Sequence, residues 1–397
     1  MNILFIIPSF EIGGAQSFLF KLASDLSQKN DVILFNIHPK KIDEEYCREL
    51  ISPNVKIYAL KSEAIEKFIE IHFHRLFARN IKRILHKLNF FNIINQTQLK
   101  YIIKKYNIEI INSHMYLADL FVYRNRGIIP RRVKWFSSFH GCYNLLLDDN
   151  KNKNIFNQFR SIIIRTNGII VAADKHLEVF TKLSIKVKNI KKIYYGFKAN
   201  SYKKYDLRKA YNLPEDAFIF GMVARGDKTK GWEEAVKAFA ALPLNDKVFL
   251  FLIGNGTYLR ELRKQYKEYR NIVIVGPTNC PLREIENFDV GLLPTYYPAE
   301  SLPNSIIEYL YCRKPVIATD WAEIHNMLST EDGLAGQLIP IVSNKPDVNR
   351  LKEAMLNYIK DPNLLNLHKK RTALAFKKFS MKKCSDLYLG FFKDGHE

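Results

Sequence analysis

Residues 2–37, NILFIIPSFEIGGAQSFLFKLASDLSQKNDVILFNI, decide how the chain is built. Asn2–Pro8 is a short apolar run and Gly13-Gly14 a turn. Ala15–Leu26 is a helical pattern with Phe18, Leu19, Leu22 and Leu26 on one face. Val32–Ile37 is a second apolar run. Strands that are apolar throughout, joined by a helix, belong to a parallel sheet covered on both faces. Ile108–Ile111, Val133–Ser137 and Gly168–Ala172 are further buried-strand candidates. The same grammar restarts at Phe218–Val223, followed by a polar turn, Ala224–Gly231, and a helix, Trp232–Leu242. Val248–Gly254, Tyr258–Tyr269, Ile272–Val275, Val290–Pro294, Ser305–Cys312 and Pro315–Thr319 continue the alternation. The pattern predicts an α/β protein of two doubly wound domains joined near Tyr195–Pro214. Ligands of such sheets bind at the carboxyl ends of the strands, so the expected site is the cleft between the domains.

Bulk properties set the outer bounds. A chain of 397 residues is too long for one ordinary domain and comfortable for two. Apolar residues at 47% and charged residues at 25% exclude disorder as the main state. No apolar run approaches the roughly 20 residues of a membrane-spanning helix. Lys plus Arg number 61 against 40 Asp plus Glu, a net charge of +21. That field attracts nucleic acid, an anionic membrane face or phosphorylated small molecules, and composition alone does not choose among them. Cys47, Cys142, Cys280, Cys312 and Cys384 are odd in number and scattered. They argue against structural zinc and a disulfide framework and fit a reducing compartment. The N-terminus runs straight into Ile3–Ile7 and reads as a buried strand rather than a signal peptide.

One stretch, residues 66–106, reads as helix rich in cations. Phe77, Ile81, Ile84, Leu85 and Leu88 fall at helical spacing beside Arg75, Arg79, Lys82, Arg83 and Lys87. Either the stripe faces the core of a surface helix, or it rests on an anionic bilayer. His72, His74 and His86 lack the H-E-x-x-H spacing, so no metal site is expected there.

Three stretches can carry chemistry. In 295–319, TYYPAESLPNSIIEYLYCRKPVIAT, Glu300 precedes a helix starting near Pro303, and Glu308 lies within it. The helix start offers free N–H groups and the positive end of a dipole to a phosphate, and a carboxylate further along can accept from sugar or ribose hydroxyls. Taken alone, both acids are ordinary helix residues. In 220–239, Arg225 and Lys230 occupy a turn bounded by Gly226 and Gly231, where a planar fork and a point charge can converge on one diphosphate. Taken alone they are solvated loop cations. Gly13-Gly14 permits close backbone approach. G-x-G-x-x-G is absent and no acid ends the second strand, so an NAD site is not expected. His140, after FSSF and before Gly141, stands at a strand end where it can bond a hydroxyl or move a proton. His114 ends another strand and reads as structural.

In combination and in this order, IGGAQ, FSSFHG, VARGDKTKG, IGNGTYLREL and E-x₇-E followed by PVIAT resemble the retaining glycosyltransferases with the GT-B fold, the group called family 4. The resemblance covers nearly the whole chain and implies two Rossmann-like domains facing across a cleft. It assigns residues 1–195 to an acceptor-binding domain and 196–375 to a nucleotide-sugar-binding domain. Residues 376–397 become a helix crossing back to the first. Arg225 and Lys230 would grip the donor diphosphate, and Glu308 the ribose. Glu300 and the backbone at Ser301 and Leu302 would face sugar or phosphate. His140 would lie by the sugar. Gly13 and Gly14 would close on the diphosphate, and Gly254 belongs to the G-x-G loop of the donor side. No metal or cofactor is expected, and a UDP-sugar is the expected donor. The chain departs from the pattern at Ser301-Leu302, Tyr195-Gly196, Ala322-Glu323 and Gln16, which bears on which sugar is moved. The resemblance implies synthesis of a bacterial surface polysaccharide, capsule or lipopolysaccharide, on a lipid-linked or saccharide acceptor. The charge and the basic helix add a place on the cytoplasmic face of an anionic membrane. The alternative is a non-catalytic nucleotide-sugar-binding subunit. Nucleic acid is not an expected partner, since no recognised module accompanies the charge.

Overall fold

The computed structural model describes the chain apart from residues 12, 39–40, 73–74, 88–89, 144–152, 188, 200, 244–245 and 395–397. The side chains of 62–64, 67, 70, 75–76, 86–87 and 153–156 also lie outside the description. Two units result: Met1–Lys198 with Met381–Glu397, and Ala199–Ser380.

In the first unit the apolar runs become strands β1 (Asn2–Ile7), β2 (Asp31–Asn36), β3 (Lys56–Ala59), β4 (Ile110–His114), β5 (Lys134–Ser138), β6 (Gly168–Val171) and β7 (Ile190–Lys192). They form one sheet in the order β3-β2-β1-β4-β5-β6-β7, with every pair parallel. Ile3 to Ile7 are wholly buried, as a central strand covered on both faces requires. The helices are α1 (Gly14–Leu26), α2 (Glu44–Leu50), α3 (Lys61–His72), α4 (Arg75–Lys87), α5 (Phe90–Lys105), α6 (Tyr116–Arg124), α7 (Lys153–Arg165) and α8 (Glu178–Lys182). The C-terminal helix, Met381–Asp394, packs Phe391 and Phe392 on Phe136 at ring separations of 5.4 and 5.0 Å. Ser385 Oγ on that helix donates to Asp25 Oδ2 at 2.6 Å.

The second unit repeats the plan. Its strands are β8 (Phe218–Val223), β9 (Val248–Ile253), β10 (Ile272–Gly276), β11 (Val290–Leu293) and β12 (Val316–Thr319), then the short β13 (Ser329–Thr330) and β14 (Gly333–Leu334), and β15 (Gly336–Ile339). The sheet order is β10-β9-β8-β11-β12-β15, again parallel. Its helices are α9 (Leu207–Ala210), α10 (Trp232–Ala240), α11 (Thr257–Gln265), α12 (Pro281–Ile285), α13 (Asn304–Tyr311), α14 (Ile324–Leu328), α15 (Val348–Lys360) and α16 (Pro362–Phe376). Gly221, mid-strand in β8, has no room for a methyl: a Cβ there would lie 2.1 Å from the Phe288 ring.

Both sheets reverse strand order once, between β1 and β4 and between β8 and β11. These are the topological switch points, where the loops diverge and leave a crevice. Strands β3, β7 and β15 escaped the sequence reading because edge strands are short and half-polar; Ile57, for one, is 50% exposed. The single helix expected over 66–106 is instead three, α3, α4 and α5, which pack on one another. Its apolar stripe does not simply face the core: Phe77 and Ile84 are 59% and 56% exposed. Leu88 and His74 lie outside the described residues.

A buried acid sits inside the first unit. Asp119 Oδ1 accepts from Ser113 Oγ (2.6 Å) and Ser137 Oγ (2.7 Å), while Oδ2 is buried without a hydrogen bond. Burial outweighs the two serines and lifts its carboxyl from 3.8 to about 8. Between these values the folded state keeps a proton that the unfolded chain has lost, so this group makes stability fall as pH rises. Asp119→Asn should therefore flatten the decline between about pH 4 and about pH 8, measured by urea unfolding across that range. An unchanged slope would show that the carboxyl ionises normally.

Candidate active site

In the second unit the loops after β8 and β11 flank the switch point and carry the candidate residues. The β8 loop is pinned by Asp227, whose Oδ1 accepts from Thr229 N (2.9 Å) and Thr229 Oγ1 (2.6 Å). It ends at Gly231, whose φ of +87° is left-handed and whose Cβ position lies 1.9 Å from the Pro294 carbonyl, so only glycine fits. Gly254 closes β9 against the same loop, with its Cβ position 2.3 Å from the Ala224 carbonyl. The backbones therefore interlock and aim the loop. Trp232 Nε1 holds the Arg225 carbonyl at 2.9 Å.

That framing brings two cations onto one ring. The Arg225 guanidinium lies 5.5 Å and the Lys230 ammonium 4.7 Å from the centroid of Tyr297, in the β11 loop. Arg225 is exposed and Lys230 is buried. Lys230 Nζ donates to Glu300 Oε2 at 2.6 Å, with side-chain exposures of 9% and 8%. Thr295 Oγ1 donates to the same oxygen at 2.9 Å. Sequence reading sent Lys230 to a diphosphate and Glu300 to a sugar, and did not see that the two meet across 70 residues. The pair is neutral as a unit, and Arg225 is the exposed cation on the Tyr297 ring. Helix α13 begins beside it with Pro303 at its cap position and no side chain capping its N–H groups, which adds partial positive charge.

Ser301 and Leu302 are buried between Glu300 and α13, and the Ser301 carbonyl accepts from Glu323 N at 3.3 Å. Glu308 is half-buried on α13. Its neighbour Tyr309 is fully buried and ties the strand ends together: Val223 N–H donates to its hydroxyl (2.8 Å), which donates to the Leu292 carbonyl (3.2 Å). Tyr297, Thr295 and Tyr309 were missed in sequence. The pair Tyr296-Tyr297 in the loop after β11 was the available signal.

In the first unit Gly13 caps α1 after β1, with extended backbone, and Gly14 opens the helix. Phe18, one turn on, stacks on Tyr195 at 4.5 Å and lies 5.9 Å from the His140 ring. His140 is part of a relay. Its Nδ1 is 2.8 Å from the Tyr195 hydroxyl, and its Nε2 is 2.7 Å from His114 Nδ1. His114 Nε2 is 2.9 Å from Asn112 Oδ1. Asn112 Nδ2 donates to the Phe136 carbonyl at 3.1 Å, which fixes the amide. Oδ1 can then only accept, so His114 carries its proton on Nε2, His140 carries one on Nε2, and Tyr195 donates to His140 Nδ1. Burial, then the neighbouring His176, depresses His140 to about 3, and burial with His140 depresses His114, so both rings are neutral. Met115, next to His114, holds φ 73° and ψ 153°, a conformation nearly reserved for glycine. Among the described residues no cluster of His, Cys, Asp or Glu could hold a metal ion, and no helix is long and apolar enough to cross a membrane.

Residues 203–375 match the family Glycosyl transferases group 1. An uncharacterized glycosyltransferase of Methanocaldococcus jannaschii is 26% identical over 40% of this chain, and the chain spans only 39% of that protein. The N-acetyl-alpha-D-glucosaminyl L-malate synthase of Bacillus anthracis is 22% identical over 72% of this chain and 75% of its own length. Among solved structures, Anabaena HepE in complex with UDP aligns with a TM-score of 0.76 at 16% identity, over 99% of this chain and 100% of that one. Sucrose-phosphate synthase from Thermosynechococcus elongatus aligns at 0.72 and 18% identity, over 99% of both. The chain therefore has the fold of the GT-B glycosyltransferases, and the match to glycosyl transferases group 1 falls within its second unit.

Proposed function

We propose that the protein moves a sugar from a nucleotide-diphosphate donor, most readily a UDP-sugar, to a lipid-linked or saccharide acceptor in the assembly of a cell-surface polysaccharide. The transfer retains anomeric configuration, needs no metal, and takes place at the anionic cytoplasmic face of a membrane. The observation that carries the donor side is Arg225 and the Lys230–Glu300 pair gathered on Tyr297 at the switch point of the second sheet. As the bond from the anomeric carbon to the diphosphate oxygen breaks, negative charge builds on that oxygen. A fixed guanidinium and helix N–H groups lower the barrier because they bind this charge more tightly than the donor. The acceptor hydroxyl attacks from the same face and gives its proton to the departing phosphate. In this reading His140 lies beside the transferred sugar, with both ring nitrogens held by Tyr195 and His114. The UDP in the Anabaena complex supports the nucleotide choice.

Arg225→Ala should lower turnover roughly 10²–10³-fold, assayed with a UDP-sugar panel. Full turnover in that variant overturns the reading. Nucleotide binding without turnover on any acceptor points to the non-catalytic subunit instead. The buried ion pair makes a second test. Lys230→Met should cost about 3–5 kcal/mol of stability by removing the counter-ion of the buried Glu300, and adding Glu300→Leu should restore most of it while turnover stays lost. A fully active double variant would make the pair purely structural. Tyr195→Phe removes the donor to His140 Nδ1 and leaves the tautomer set from Asn112 through His114. It should reduce kcat by up to about tenfold with KM little changed, while nitrogen NMR should still show the His140 proton on Nε2.

A further inference from the structure

The outer edge of the first sheet holds a cavity that the donor chemistry does not use. It measures about 480 Å³ and is lined by Tyr58 of β3, Lys61 of α3, and Ile93, Ile94, Thr97, Gln98 and Tyr101 of α5. Its polar lining is largely spent on the protein itself. The Thr97 hydroxyl donates to the Ile93 carbonyl at 2.8 Å. The Gln98 amide accepts from Lys61 N at 2.9 Å and donates to the Ala59 carbonyl at 2.8 Å. The Tyr58 hydroxyl bonds that of Tyr106 at 2.7 Å. A polar ligand would find few partners there, whereas a hydrocarbon would bury ring faces and isoleucine side chains.

The surroundings select the kind of hydrocarbon. Phe68, Ile71, Phe77, Ile84, Ile93 and Tyr101 are each more than half exposed on α3, α4 and α5. From residue 71 to residue 105 there is no Asp or Glu, against eight Lys and Arg. Lys105 Nζ lies over the rings of Tyr101 and Tyr106 at 5.3 and 5.2 Å, and Lys56 Nζ over Tyr106 at 4.8 Å. Tyrosine and lysine ringing an exposed apolar face is the composition of a bilayer interface. A second copy of the chain is the wrong occupant, because like charges would oppose across the contact.

We propose that α3, α4 and α5 form a surface that docks on an anionic phospholipid bilayer, and that the cavity takes an acyl chain of one of its lipids, with Lys61 and neighbouring cations on the phosphate. This deepens the membrane clause of the proposed function and rests on it. The test needs neither donor sugar nor nucleotide, so its result is independent of the transferase reading. The full chain is sedimented with vesicles of phosphatidylglycerol and phosphatidylcholine and with phosphatidylcholine alone. Binding should favour the anionic vesicles at low salt, and Arg79→Gln, Arg83→Gln and Lys100→Gln together should weaken it about 100-fold, at about fivefold per cation. For the cavity, Tyr101→Trp provides a fluorophore in its wall. Phosphatidylglycerol brominated on its acyl chains should quench the added emission, with the unsubstituted chain as background, and Ile94→Trp in the same molecule should be quenched likewise. Equal binding to neutral and anionic vesicles overturns the docking surface. Binding without quenching of either fluorophore overturns the acyl-chain site.

Discussion

A parallel sheet whose strand order reverses leaves two neighbouring loops running to opposite faces, and the chain has no means of filling the gap with backbone. Both units of this protein are organised by that constraint. In the first, β1 and β4 open onto Gly13 and His114; in the second, β8 and β11 open onto Arg225 and Glu300. The side chains with chemical capacity stand on these loops because the strands below are occupied by packing. Interlocked glycines hold the loop of the second unit in place, and Tyr309 ties the strand ends beneath it.

Charge is used in two ways within the second unit. Lys230 is sunk into the fold and matched by Glu300, which also accepts from Thr295, so its role includes holding the β11 loop against the β8 loop. Arg225 is exposed on the same ring, with its charge open to solvent. Removing one partner of a buried pair costs more than the pair itself adds, so Lys230 and Glu300 hold each other in place. The first unit uses neutrality instead. Its two histidines are linked in one direction from Tyr195 to Asn112, and burial keeps protons off them, so the relay orients a ring and stores no charge.

The central strands and the loop residues were legible in sequence because each is a local signal. Ile3–Ile7 and Val248–Ile253 are apolar runs that only a doubly covered strand needs, and Arg225, Lys230 and Glu300 sit where strand patterns stop. Edge strands such as Lys56–Ala59 were not legible, since solvent on one side removes the pattern. Segment 66–106 read as one helix because helical spacing survives a break, whereas the turn between two helices leaves little trace in hydrophobic period.

The sequence by itself determined the doubly wound α/β class, its two repeats, and which residues stand at strand ends, because hydrophobic period and glycine placement are properties of neighbours along the chain. Only the tertiary structure decided that Lys230 meets Glu300, that Tyr297 receives both cations, and that His140 leans on Tyr195. The hydrogen-bonded partners are 55 and 70 residues apart, and the cations and Tyr297 stand on loops that follow different strands. Their approach depends on how helices pack on a twisted sheet, which a one-dimensional pattern does not encode.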